Sequence, residues 1–326
     1  MDRQESPSRG LGPQRLASTA LAVGASVLAL LLLFALLDLD LSSLEDSLER
    51  ASWPLVAIAA ILSAAMHIAG STDKLWRVLS AMGLSLEWRQ VLRIRLGSGP
   101  LRILLPVDAG DLVNIVFLKR SENLSLDAAS GAILFDRGLN LIGTTFWLLA
   151  GLALLKAESP APRAALLAAI GLSYGLFLFS GPLQRLAMAG ARRVHHRVGR
   201  FVEGTLAPFQ RFSAGRKLFF CAYGVLFQTR PLIVAWLLFL SFGIRVPAGE
   251  LVAWITLSMF AGHLPTAMGM GPREAALVFL FSGAAPPAVL LSIGILLTLL
   301  VHALPMAVGL PWVPWYLRAM ARGTRA

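Results

Sequence analysis

Apolar runs alternate with short basic stretches along the chain, and two of the apolar runs are broken. Leu16–Leu37 is unbroken and long enough to cross a bilayer, which takes roughly 20 residues. It is too long for a signal-peptide core and no small-residue cleavage site follows, so it is expected to remain as a first span. Trp53–Gly70, Ala132–Leu155, Ala164–Ser180, Leu218–Phe242 and Ala288–Leu310 are the other expected spans. Between them lie Leu96–Leu118 and Leu251–Gly283, each interrupted by Pro and Gly. The first break reads Leu105-Pro106-Val107-Asp108-Ala109-Gly110. The second reads Leu264-Pro265-Thr266-Ala267-Met268-Gly269 and continues Met270-Gly271-Pro272-Arg273-Glu274. Both follow the pattern Leu-Pro-x-x-x-Gly. The apolar pieces beside each break are too short to span alone. Each break is therefore expected to turn a re-entrant helical hairpin, at Pro106 and Gly110 in the first and at Pro265, Gly269 and Gly271 in the second. Irregular backbone persists at membrane depth only where protein or a watery cavity surrounds it. Broken segments in corresponding halves point to a transporter site.

Charge orients these elements. With the N-terminus in the cytoplasm and both hairpins returning to their side of entry, the basic stretches 71–95, 119–130, 181–217 and 318–326 all fall inside. The acidic stretch 38–50 falls outside. Counting either broken segment as a full crossing puts basic stretches on both sides, against the positive-inside rule. The expected fold is an all-α integral membrane protein with six spans and two re-entrant hairpins. Its halves, about 16–156 and 163–310, form an inverted repeat within one domain, 16–310. Residues 1–15 are expected to be a disordered cytoplasmic segment and 311–326 a cytoplasmic tail, with Trp312, Trp315 and Tyr316 in an interfacial belt. In the stretch 181–217, Arg185, Arg192, His196 and Arg200 fall near one helical face. Either an amphipathic helix on an anionic leaflet or a solvated orienting loop accounts for it.

Composition agrees with this topology. The chain has 326 residues, 56% hydrophobic and only 14% charged, against about 25% charged in a soluble domain. Its mean hydropathy is +0.70. The net charge of +11 would suggest nucleic acid in a soluble protein, but here the Arg residues lie mostly between spans. They read as topology determinants, and no nucleic-acid partner is expected. One cysteine, Cys221, excludes an internal disulfide and a cysteine metal cluster. His67, His263 and His302 stand alone on apolar segments without metal-ligand spacing. No nucleophile elbow, His-Glu-x-x-His or phosphate-binding loop is present. No cofactor, metal or catalytic group is expected.

Some charges nevertheless fall within apolar segments, where each costs several kcal/mol unless it faces a bundle interior or cavity. They are Arg102, Asp108 and Asp111 in the first hairpin, Asp136 and Arg137 in the third span, Arg230 before Pro231 in the fifth, and Arg273 and Glu274 in the second hairpin. Asp136 and Arg137 point about 100° apart on a helix, so each is expected to find another partner, a hairpin charge being the candidate. A ligand role and a purely structural role are both open for the set.

The motifs together resemble the flippase-like membrane region of the lysylphosphatidylglycerol synthase family. That family shows Leu-Pro followed by Gly-acidic, then an acidic-Arg pair, then Pro-Gly-Gly-x-Gly-x-Arg-Glu. Here they correspond to Leu105, Pro106, Gly110 and Asp111, to Asp136 and Arg137, and to Pro265, Gly269, Gly271, Arg273 and Glu274. The likeness covers most of Leu92–Leu310. The chain departs by having Asn114 where the family often has Arg, and Ala267-Met268-Gly269 for Pro-Gly-Gly. The aminoacyl-transferase domain of fused members needs several hundred further residues, so this chain is not expected to make the aminoacyl lipid. The resemblance implies translocation of a lipid, anionic or phosphate-bearing, in the bacterial inner membrane, or a membrane role beside lipid or glycan synthesis enzymes. Arg137 and Arg273 are the expected phosphate contacts, because guanidinium groups bind phosphate bidentately. Asp111, Asp136 and Glu274 would balance them when the site is empty. An enzyme acting on polyprenyl phosphates through Asp108, Asp111 and Mg²⁺ is the alternative.

Overall fold

The computed structural model describes residues 13–37, 40–101, 109–122, 124–155, 181–194, 199, 202–203, 210, 212–262, 266 and 269–322, and every regular element among them is helical. In chain order they are α1 (Pro13–Leu36), α2 (Leu41–Glu49), α3 (Trp53–Ala81), α4 (Trp88–Leu101), α5 (Ala109–Ser121), α6 (Leu126–Leu154), α7 (Gly181–Val194), α8 (Ala214–Phe227), α9 (Thr229–Ser241), α10 (Ala248–Ala261), α11 (Pro272–Leu280) and α12 (Pro287–Thr298). After α12 the helix continues through a π turn, Leu299–Ala303, into α13 (Leu304–Gly309), a 3₁₀ turn and α14 (Val313–Arg322). The starts are written locally. Asp40, Ser125 and Ser213 cap α2, α6 and α8 by accepting from Ser43, Ala128 and Arg216 amides. The Ser43 amide holds the Asp40 carboxyl below its ordinary range.

Four helical stretches are long and apolar enough to cross a membrane: Trp53–Ala81, Leu126–Leu154, Ala214–Ser241 and Pro287–Arg322. Gly24–Leu36 and Ala248–Ala261 are shorter apolar helices. Outward-facing Ile61, Leu154 and Leu226 are exposed, as lipid-facing positions are. The expected span Ala164–Ser180, and Arg102, Pro106, Asp108, His263 and Pro265, lie outside the described residues. Several boundaries differ from those expected. α3 does not stop at Gly70 but runs to Ala81, because Leu75, Val78 and Leu79 continue its buried face. The fifth span breaks at Gln228, just before Arg230 and Pro231. The sixth runs past Leu310 to Arg322.

The helices repeat. α4 begins at Trp88 and α10 at Ala248, and each has 14 residues. Ahead of them α3 and α9 end in the same turn. Gly83 (φ 85) and Gly243 (φ 71) take the left-handed conformation. Leu84 N–H then reaches Leu79 O at 3.0 Å, and Ile244 N–H reaches Phe239 O at 2.9 Å, the Schellman arrangement. After them come a short helix (α5, α11) and a long one (α6, α12 onward). The halves run in opposite directions. Along the α3 contact with α8 and α9, Ser52 N–H donates to Ser241 O at 2.7 Å while Tyr223 Oη donates to Asp73 at 2.8 Å. The start of α3 thus meets the end of α9. Each half also lends its last long helix to the other: α6 packs on α10, where Gly151 touches Ala253, and α13 packs on α4, where Gly309 touches the Leu96 carbonyl.

α5 packs back on α4, and α11 on α10. At the start of α4, Gln90 Nε2 donates to Glu122 Oε1, just past the end of α5, at 2.7 Å. Burial there raises the Glu122 carboxyl above its ordinary value, against the Gln90 hydrogen bond. At the other end of the bundle Phe281, just past α11, packs on Phe239 with ring centroids 4.8 Å apart. One apolar core surrounds each hairpin. The first gathers Leu79, Ile94, Phe117, Ile133, Phe220 and Tyr316, the second Leu238, Phe239, Ile255, Leu277, Phe281 and Leu297. Tyr316 corrects the expected interfacial belt. It is fully buried, stacks on Phe117 at 4.3 Å and donates its hydroxyl to Val113 O at 2.8 Å.

Candidate functional site

Asp136 brings a carboxylate into the interior of the first half, 4% exposed. Arg95 Nη2, from α4, meets its Oδ2 at 2.5 Å, and Lys74 Nζ, from α3, lies 3.3 Å from its Oδ1. Lys74 also donates to the Asp136 carbonyl at 3.2 Å and to Asn140 Oδ1, and sits 4.6 Å from the Phe227 ring centroid. Gln228 Nε2 extends the network, donating to Asn140 O at 3.1 Å and to Thr144 Oγ1 at 2.6 Å. Two cations share one carboxylate, and neither was singled out in the sequence. Asp136 pairs with α4, the first arm of its hairpin, and with α3, rather than with a hairpin charge alone. Lys74 and Arg95 had been assigned to a basic surface stretch, and the structure corrects this. Arg137, the next residue, is half-buried.

The second half holds a neutral counterpart. Arg273 and Glu274 open α11, 4% and 0% exposed. Thr298, the last residue of α12, links them: Arg273 Nη1 donates to its hydroxyl at 3.1 Å, and that hydroxyl donates to Glu274 Oε1. Glu274 Oε2 accepts from the Gly271 amide at 2.6 Å, the acidic half of a capping box. The guanidinium lies in a glycine slot. A Cβ on Gly262 would stand 2.5 Å from Arg273 Nη2, and one on Gly269 would stand 2.7 Å from it. The break needs glycines here because their backbone surrounds a cation. Asp136 and Arg137 are the eleventh and twelfth residues of α6; Leu297 and Thr298 are the eleventh and twelfth of α12. Counted from the helix starts, Thr298 thus stands where Arg137 stands in the first half, and an apolar Leu297 stands where Asp136 does.

Arg230 is buried elsewhere. Its Nη1 donates to Val301 O at 3.1 Å, and Ser63 Oγ donates to Leu300 O at 2.7 Å. Both carbonyls lie in the π turn just before Pro305, which has no N–H to give them. The Arg230 cation therefore satisfies a broken helix. Asp111 and Gly110 lie in α5, and the Asp111 side chain is outside the described set.

The described motif residues keep the order in which they were read: Gly110 and Asp111, then Asp136 and Arg137, then Gly269, Gly271, Arg273 and Glu274. The profile of the Lysylphosphatidylglycerol synthase TM region family matches residues 19–319. The chain belongs to that family. A search of curated proteins gives no match. As a lysylphosphatidylglycerol synthase TM region protein with several membrane-length helices, it is a multi-pass membrane protein of a lipid-related family. Within this family member, Lys74 and Arg95 are the buried charges that sequence reasoning missed. One local signal was available: Asp73 and Arg77 pair four residues apart at 2.6 Å, so the helix continues through Lys74.

Proposed function

We propose that this protein is a flippase-like transporter of the bacterial inner membrane that binds and moves a phosphate-bearing lipid. The observation that supports it most is the interior Asp136 cluster, where, among the described residues, two cations, Lys74 and Arg95, face one carboxylate. A buried charge is costly unless it is paired or serves a ligand. The acyl tails would stay in the bilayer while the headgroup passes between the hairpins. In liposomes carrying the purified protein, a labelled anionic phospholipid is expected to reach the opposite leaflet faster than in protein-free liposomes. Equal rates would overturn the reading.

The two hairpins are re-entrant in this reading, one from each membrane face, and both termini are cytoplasmic. The packing of α5 back on α4, with Gln90 bonded to Glu122, and of α11 back on α10 supports it. In a Cys221→Ala background, single cysteines at Ser85 and Ser125, which flank the first hairpin, are expected to react with an impermeant reagent from the cytoplasmic side. One at Glu49 is expected to react from the other side. Labelling of Ser85 and Ser125 from opposite sides would make that hairpin a full crossing.

A further inference from the structure

Among the described residues four cations lie inside the helix bundle, Lys74, Arg230 and Arg273 buried and Arg95 partly so, and they differ in exposure and in what balances their charge. Arg273 is committed: it is bonded to Thr298, set against Glu274 through that hydroxyl, and enclosed by two glycines. Arg230 completes the π turn. Lys74 is committed as well: its ammonium donates to the Asp136 carbonyl and to Asn140, lies 3.3 Å from Asp136 Oδ1 as an ion pair, and is 1% exposed. Arg95 is different. A guanidinium has five N–H donors. Its side chain is 10% exposed where the other three cations are buried, one bond runs from Nη2 to Asp136, and it is the second cation on that one carboxylate. Lys74 already balances the Asp136 charge. The positive charge left over therefore sits on the residue with donors to spare.

We infer that Arg95 is the anion-receiving residue of this protein, and that its ligand is a phosphate group. The spare donors lie on one rigid planar fork, which matches the spacing of two phosphate oxygens. Asp136 holds the fork in place through Nη2, and Lys74 keeps Asp136 from cancelling it. Arg273, the motif arginine, is in contrast a clamp for the second hairpin. This assignment rests on the lipid reading above and sharpens it. The same chemistry suits a lipid headgroup phosphate or free inorganic phosphate, so both serve as probes.

The test uses the full chain in a non-ionic detergent. Inorganic phosphate and dihexanoyl phosphatidic acid are titrated separately, with binding read by calorimetry and by the rise in unfolding temperature. The wild type is expected to bind phosphatidic acid. Arg95→Gln is expected to bind it about tenfold more weakly or worse, because a charge-assisted fork is lost. Its unliganded unfolding temperature should stay near that of the wild type, since a balanced Lys74–Asp136 pair remains. Arg95→Lys keeps the charge and loses the fork, so it should also bind more weakly. Inorganic phosphate binding that is lost in Arg95→Gln supports the site; if phosphatidic acid fails to bind at all, free phosphate is the ligand and the lipid source is wrong. If neither probe binds the wild type, or if Arg95→Lys binds as tightly as the wild type, the assignment is overturned. Should Arg95→Gln fail to fold, Arg95→Lys decides alone. Binding that depends on Arg95 without lipid movement in liposomes would remove the transport reading and leave this site standing.

Discussion

Asp136→Ala is expected to destabilise the protein by about 3–5 kcal/mol, because it strands buried cations without their counter-charge. Lys74 is 1% exposed and has no water to turn to. Arg95 loses its carboxylate at the same stroke. The effect should be read as a fall in the unfolding temperature in detergent and in the yield of folded protein. A double variant, Asp136→Ala with Lys74→Met, is expected to recover part of the loss, since one stranded charge is gone. Lys74→Met alone leaves Arg95 and Asp136 as a balanced pair and should cost much less than Asp136→Ala. If Asp136→Ala unfolds at the wild-type temperature, the cluster is not an electrostatic support and its charges are solvated by a route absent from the structure.

The second large effect is at Glu274. Glu274→Ala removes the carboxylate that faces Arg273 through Thr298 and the acceptor of the Gly271 amide. A cost of about 4 kcal/mol is expected, because the buried Arg273 cation loses the counter-charge it faces through Thr298. Glu274→Gln keeps a neutral acceptor for Gly271 and should fall between the alanine variant and the wild type. Arg273→Lys fills the glycine slot poorly and loses the planar fork, yet keeps the charge, so it should be less harmful than Arg273→Ala. Thermal unfolding of the four variants gives the order. A Glu274→Ala protein as stable as the wild type would show that Arg273 has a sufficient partner elsewhere.

The broken segments were legible because their signals are local. Pro and Gly stand between apolar pieces too short to cross a membrane, and the same six-residue pattern recurs in each half. The cation cluster was not legible, because its logic is long-range. Lys74, Arg95 and Asp136 come from three helices, and nothing near Arg95 in the chain distinguishes it from Arg93, which is exposed. The basic stretch 71–95 satisfied the charge rule as a loop, and that success hid two buried residues. Tyr316 shows the same limit. Beside Trp312 and Trp315 and ahead of a basic end it has interfacial company, but its partner Val113 lies 203 positions away. The particular partners of Asp136 lay beyond local reading for this reason too. Arg273 and Glu274 were read as charges inside an apolar segment, and both are buried beside the break they flank, because neighbours in a turn share one environment.

The antiparallel halves carry one further consequence. A frame built from two identical, oppositely directed halves would look the same from either leaflet, and nothing in it could tell up from down. Here the eleventh position of the last long helix is Asp136 in one half and Leu297 in the other. Among the described residues, Asp136 faces two cations, Lys74 and Arg95, whereas Glu274 faces the single cation Arg273 through Thr298. The two halves thus share a direction-reversed helix plan but not a charge: among the described residues the two sites are not interchangeable.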